Sequence, residues 1–318
     1  MDFKEFSEKL MGNVQSMIPE EYEAKLNTVH KNNNQKREAI IIRSGSSSMV
    51  PNIYLEQYYD SYINGREIND IANEVVSIAL NNQSDNDVVS QISDFGSVSS
   101  KIVFRLINSS LNKERLNEVP HIIIENMAKV YFIVIDIKVD GVSTIMITND
   151  FLSGWNVSPE RLDEQSNINT PNLFPSIIKN MNQCICDILS DQKEELTIDE
   201  DEHFEDFIDE FMRDMSSKEN ERMYVLSNTK GINGAGTILY PNVLQELASK
   251  LNSDLYILPS SIHEVILLPA KARMSSRALR EMVVDVNSSQ VAPEEVLSNE
   301  VYYYDLSKDD FHIANYRR

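Results

Sequence analysis

Residues 129–155 read KVYFIVIDIKVDGVSTIMITNDFLSGW, and their grammar decides the fold class. A run of β-branched and aromatic residues meets Asp140-Gly141, the dipeptide that best supplies the two positive φ values of a type I′ turn. A second apolar run, Val142 to Ile147, follows, and Asn149 then opens a helical stretch. A β-hairpin whose second strand runs into a helix is a local, antiparallel unit. Repeats of it lead to an α+β protein rather than to a parallel α/β sheet.

Two further segments are written the same way. In REAIIIRSGSSSMVPNIYLEQYYDSYINGREIN a strand at Ala39–Arg43 turns through Gly and Ser into a second strand near Val50–Leu55. Leu55, Tyr58, Tyr59, Tyr62 and Ile63 then fall at helical spacing, with Gly65 as the stop, and Ile68, Ile71, Ala72, Val75 and Ala79 make a second stripe. In MYVLSNTKGINGAGTILYPNVLQELASKL the aligned positions predict a second strand at Thr237-Ile238-Leu239. Asn242 is placed to cap a helix carrying Leu244, Leu247, Ala248 and Leu251.

Beyond the third helix, DLYILPSSIHEVILLPA predicts two strands around Pro259, Ser260 and Ser261. A helix at Ser275–Val286 and strands at Val301–Asp305 and Phe311–Ala314 close the chain, making the third module ββαββ. Ser158-Pro159 is an N-cap followed by proline at the first helical position. Ile178, Met181, Ile185, Ile188 and Leu189 form a helical stripe that would continue this region. The expected organisation is an N-terminal hairpin-helix module at 1–110 and a central one at 111–190. An acidic helix with its linker at 191–221 and the ββαββ module at 222–318 follow. The fold class is α+β, with mostly antiparallel sheets plus a helical and acidic connecting segment.

The 318 residues carry a formal charge of −21, which argues against direct nucleic-acid binding through phosphates, since that affinity comes largely from Lys and Arg. Between Asp191 and Glu221 stand 14 acidic and 3 basic residues, about half of the net charge. Within this stretch Phe204, Phe207, Ile208, Phe211, Met212 and Met215 recur on one helical face, an amphipathic acidic helix suited either to a partner's apolar groove or to its own domain. The start, MDFKEFSEKL, is acidic rather than basic and then apolar, and no apolar run reaches membrane-spanning length. The expectation is a cytoplasmic protein outside the membrane. Cys184 and Cys186, one residue apart, make neither a disulfide framework nor a zinc site, and both are expected reduced.

Chemistry is sparse. Ser261 and His263 lie two apart on the expected strand, hence on one face, where a nucleophile and a base could approach. No orienting carboxylate and no G-x-S-x-G elbow accompany them. The competing reading is a structural histidine bonded to backbone or to Ser261. His121 follows Pro120 at the start of a strand and would join a site only if it met His263 in space. Gly231, Gly234 and Gly236 lack the Lys-Ser/Thr of a phosphate loop, and the expected next element is a strand, so they read as a hairpin turn. His203 in DEDEHFEDF lacks the glycine and spaced oxygens of a calcium loop. Trp155 and Tyr302–Tyr304 read as core or edge residues rather than stacking platforms. No metal and no cofactor is expected.

The strings EVPH (118–121), ILPSSIHEVILLPA (257–270) and MVVDVNSSQVAPEEVLSNEVYYYD (282–305), with NIYLEQYYDSYINGREI, KIVFRLIN and NTPNLFPSIIKNM, give the chain its resemblance to a bacterial family, domain of unknown function 5688. In arrangement it is also similar to domain of unknown function 1444. Neither resemblance implies a mechanism. The residues themselves lead to a non-enzymatic protein that works through a protein partner. The alternatives are a hydrolase-like enzyme using His263 and Ser261, and an acidic inhibitor mimicking nucleic acid.

Overall fold

The computed structural model describes residues 1–44, 50–81, 92–138, 141–181, 183–184, 223–271 and 274–315, and the chain divides into two compact units, Met1–Val98 and Ser99–Arg318. Every strand pairing among the described residues is antiparallel, as an α+β protein built from hairpins requires.

The first unit opens with α1 (Phe3–Met17), whose start is closed by a capping box. The Asp2 side chain accepts from the Glu5 backbone, and the Glu5 side chain accepts from the Asp2 backbone. Strands β1 (Tyr22–His30), β2 (Lys36–Ser44) and β3 (Ile53–Tyr54) form a three-stranded sheet, in which β3 pairs Ala39 with Tyr54 as the first hairpin demands. Helices α2 (Glu56–Ile63) and α3 (Ile68–Asn81) follow. All five residues of the expected α3 stripe are buried, with Phe6, Leu10, Ile40, Ile42 and Leu55 in the same core. Each such aliphatic side chain contributes about 1.5–3 kcal/mol on burial. The α2 stripe is shorter than its spacing implies. Leu55 and Tyr58 are buried, whereas Ile63 stands 61% exposed in the last turn before Gly65 (φ +98) ends the helix. Strand β1, too polar to show an alternation, has no counterpart in the sequence reading.

The second unit holds two sheets. In the four-stranded one, β6 (Met127–Ile137) is flanked on one side by β4 (Ile102–Asn108). On the other side lie β5 (His121–Ile124) and β7 (Val142–Met146). The β6–β7 hairpin runs into α4 (Asn149–Trp155), where Trp155 packs on Phe151. The turn residue Asp140 lies outside the described residues. Helix α5 (Pro159–Leu173) has Ser158 as its N-cap, accepting from Arg161 N–H, and proline at the first position. It lies along β4, where Thr170 Oγ1 accepts the Phe104 N–H at 3.0 Å and Asn169 Nδ2 donates to the Ile102 carbonyl at 2.9 Å.

The six-stranded sheet has the order β13-β12-β10-β11-β9-β8, with β8 at Ser176–Asn180, β9 at Tyr224–Asn228, β10 at Leu255–Leu258, β11 at Val265–Pro269, β12 at Tyr302–Asp305 and β13 at Asp310–Ile313. Its interior strand β11 carries apolar residues on both faces. Val265 and Leu267 join a core with α6 (Val243–Leu251), Leu106 and Met127, while Leu268 meets α7 (Ser276–Ser289) through Leu279 and Val283. Tyr302 and Tyr304 are core residues.

Three expectations need correction. Ile178 is on strand β8, not on a helix: Ser-Ile-Ile after Pro175 is β-branched and pairs with β9. The remainder of that stripe, Ile185, Ile188 and Leu189, lies outside the described residues. Thr237-Ile238-Leu239 belongs to a buried 3-10 helix, Gly234–Leu239, so the third module has no hairpin there. Its turn is closed locally by Thr237 Oγ1 donating to the Gly234 carbonyl at 2.7 Å. Asn242 precedes α6 in the left-handed region (φ 66), and its side chain makes no capping bond. The two compact units divide after Val98. Strand β4 pairs with β6, and β8 joins the six-stranded sheet, so the central and C-terminal stretches form one unit.

Candidate functional site

The Ser261–His263 stretch is a turn. Strand β11 begins only at Val265, and Ser261 forms an isolated bridge to Val296. The expected shared strand face therefore does not exist, and the Ser261 hydroxyl addresses the backbone. Its oxygen accepts the His263 N–H at 2.9 Å. The ring of His263 is held at both nitrogens. Nδ1 accepts the Asn233 N–H at 3.2 Å, which places the ring proton on Nε2, and Nε2 stands 3.3 Å from Glu295 Oε1. With its side chain 26% exposed and both nitrogens engaged, His263 is a strut between the turn and the Asn228–Gly234 loop. Burial pushes the Glu264 carboxyl up, aided by the nearby Glu295 and opposed by His263 and the Ser261 hydroxyl.

The same turn explains why the loop needs glycine. A Cβ on Gly234 would lie 2.5 Å from the His263 carbonyl oxygen and 2.7 Å from Asn228 N, closer than real Cβ atoms approach. Ser227 Oγ donates to that carbonyl at 2.7 Å, and Ala235 N–H to the Ile262 carbonyl at 3.1 Å. Gly236 then brings its backbone against the Phe104 ring, where an added Cβ would stand 3.2 Å away. The Gly-rich stretch thus serves close packing of a loop and a 3-10 helix, not a phosphate.

His121 opens β5, and its Nδ1 donates to the Val119 carbonyl at 3.0 Å. It sits in the four-stranded sheet and His263 in a turn of the six-stranded sheet, with separate partners. The structure assembles no common site from Ser261, His263 and His121. Phe204, Phe207, Ile208, Phe211 and Met212, as well as His203 and Cys186, lie outside the described residues. Among the described residues no group of three His, Cys, Asp or Glu could hold a metal ion, and no helix is long and apolar enough to cross a membrane.

Two charged centres escaped the sequence reading. Lys129, 5% exposed in the apolar strand β6, is 2.5 Å from Asp163 Oδ1 and donates to Asn167 Oδ1 at 2.5 Å, above the Phe104 ring at 4.3 Å. Tyr131 donates to Asp163 Oδ1 at 2.8 Å and Asn167 Nδ2 to Asp163 Oδ2 at 2.9 Å. Lys129 and Tyr131 are two apart on a strand, Asp163 and Asn167 four apart on a helix, so each pair shares a face. Burial pulls the Lys129 ammonium down despite Asp163. Burial also pushes against the Asp163 charge, but the bonds from Lys129, Tyr131 and Asn167 hold that carboxyl below its usual range. The only signal was a lysine inside MAKVYFIVI.

The second centre is Arg105 on β4. Its Nη2 donates to Thr144 Oγ1 at 3.0 Å, and the guanidinium lies 4.1 Å over the Phe132 ring. The residue is half-buried, and burial pulls its guanidinium down to about 10. Arg105 lines a cavity with about 20 Å³ of water-accessible space, which the Asn228–Gly236 segment, Phe174 and Tyr240 also border. A lone arginine in KIVFRLIN was the signal available.

A family model described as a family of unknown function (DUF5688) matches residues 3–306. No curated protein and no solved structure matches the chain.

Proposed function

Because the chain belongs to this family of unknown function, whose description carries no activity, we propose its role from the described surfaces: a non-enzymatic cytoplasmic protein that acts by contacting another protein. The observation that carries this reading is strand β5. Among the described residues it pairs with β6 alone, and its neighbours Ile122 and Ile123, on opposite faces, stand 42% and 53% exposed. Edge strands of soluble proteins are ordinarily guarded by charge, proline or a bulge, and an apolar one is a template for an added strand. His121 leads this edge, with its ring turned to the Val119 carbonyl. The acidic stretch of Phe204, Phe207, Ile208, Phe211 and Met212, whose spacing predicts a helix, would supply a second contact in a partner's apolar groove.

The hydrolase reading is less well supported, because His263 has both ring nitrogens engaged and the Ser261 hydroxyl oxygen is bonded to the backbone. The test is Ile123→Lys, which places a charge on the edge without touching the core. Under this proposal, crosslinking in the native host joins the unaltered chain to a defined protein. Ile123→Lys abolishes that product while the thermal midpoint stays within about 2 °C, as surface changes usually allow. The same product from both chains would overturn the β5 reading.

A further inference from the structure

We propose that the cavity beside Arg105 binds a carboxylate group, with the guanidinium as its cationic partner and the Asn233 carboxamide as its second polar contact. The first ground is an imbalance of charge. Arginine carries five N–H donors, and the protein engages this one through the single bond to Thr144 and the face of Phe132. Among the described residues no carboxylate pairs with it. Partial burial lowers the pKa of this cation, and an anion at the cavity would offset that cost.

The second ground is the wall opposite. Asn233 also lines the cavity, and its side chain makes no hydrogen bond among the described residues. Its backbone is fixed in the left-handed region (φ 53) by the bond from its N–H to His263 Nδ1. The backbone that carries the carboxamide is therefore held at the cavity wall, and the side chain is free to turn to a ligand. Tyr240, Thr170 and Asn228, the other polar neighbours, are already engaged: Tyr240 donates to the Phe174 carbonyl at 3.0 Å, Thr170 Oγ1 donates to the Ser166 carbonyl at 2.6 Å, and Asn228 donates to the Ile232 carbonyl at 2.9 Å and accepts the Lys230 N–H at 2.9 Å. Arg105 and Asn233 remain as the groups with donors to give.

Size and polarity narrow the class. About 20 Å³ of water-accessible space makes this a small cavity, with room for a group of few atoms. That fits a carboxylate better than a tetrahedral phosphate. Val142, Phe174 and Ile232 make the remaining wall apolar, which suits the carbon that bears the carboxylate. The overall charge of −21 gives no long-range attraction for anions, so selectivity must come from this local pair. The carboxylate could belong to a small organic acid or to the free end of a peptide; both present the same group.

Calorimetric titration of the full chain at constant ionic strength tests this with propionate, propionamide and inorganic phosphate. Propionate should bind, and propionamide and phosphate should not. Arg105→Met should weaken propionate about ten- to hundredfold, the loss expected for a hydrogen bond to a charged group. Should that variant fail to fold, Arg105→Lys and Asn233→Ala carry the test, each expected to weaken binding. Peptides with free and amidated C-termini separate the two sources. Tighter binding of the free terminus than of propionate assigns a peptide, and equal or weaker binding assigns a small acid. No heat with any carboxylate, equal binding by phosphate, or propionate affinity unchanged in the variants would overturn the proposal.

Discussion

His263 Nδ1 accepts the backbone N–H of Asn233 at 3.2 Å, across thirty residues of sequence, and this bond ties the turn before β11 to the loop that borders the Arg105 cavity. A histidine placed like a catalytic base in the linear sequence is a strut in the fold. His263→Ala should lower stability by about 1–3 kcal/mol by stranding polar partners. It should also speed hydrogen exchange at the Asn233 amide. An unchanged denaturation midpoint with unaltered exchange at Asn233 would contradict the strut.

The Lys129–Asp163 pair makes a larger demand. Asp163→Ala leaves a buried ammonium facing Tyr131 and Asn167, and breaking a buried pair on one side costs about 3–5 kcal/mol. Lys129→Met with Asp163→Leu removes both charges and should recover most of that loss. Chemical denaturation of the two variants separates the cases, and equal losses in both would show that packing rather than charge matters there.

Acid sensitivity follows from the same carboxyl. Asp163 titrates below its usual range in the fold, so its contribution is present above the unfolded value near pH 4 and is lost as pH falls through the lower folded value. Glu264 has the opposite sign. Its carboxyl is raised by burial, so its contribution is present below about pH 4.3 and is lost as pH rises through the folded value. Glu264→Gln should therefore flatten the fall in thermal midpoint that accompanies the rise in pH above that point. A midpoint profile parallel to that of the native chain would refute this.

The acidic helical stretch is tested by Phe207→Asp with Phe211→Asp. As a docking element it should lose a partner contact with the thermal midpoint nearly unchanged. If the helix packs at home, the change removes two buried aromatics, at about 3–5 kcal/mol each. A large fall in midpoint would rule out docking.

What the amino-acid sequence determined by itself is what neighbouring residues settle among themselves. The α3 stripe is buried at all five expected positions because helical spacing alone puts those side chains on one face. The β6–β7 hairpin, the Ser158-Pro159 helix start and the two-sided apolar strand β11 are local in the same sense. The tertiary structure decided whatever depended on a partner far along the chain. Ile178 fits a helical stripe and a strand equally well, and only pairing with β9 chooses the strand. Thr237-Ile238-Leu239 has strand propensity, yet the close approach of Gly234 to the His263 turn and of Gly236 to Phe104 winds it into a 3-10 helix. The charged centres are non-local throughout. Lys129 and Asp163 are joined across the β6–α5 contact, and Arg105 reaches Thr144 across β6. Spacing in sequence says nothing about such pairs, because burial and electrostatics depend on distance in space.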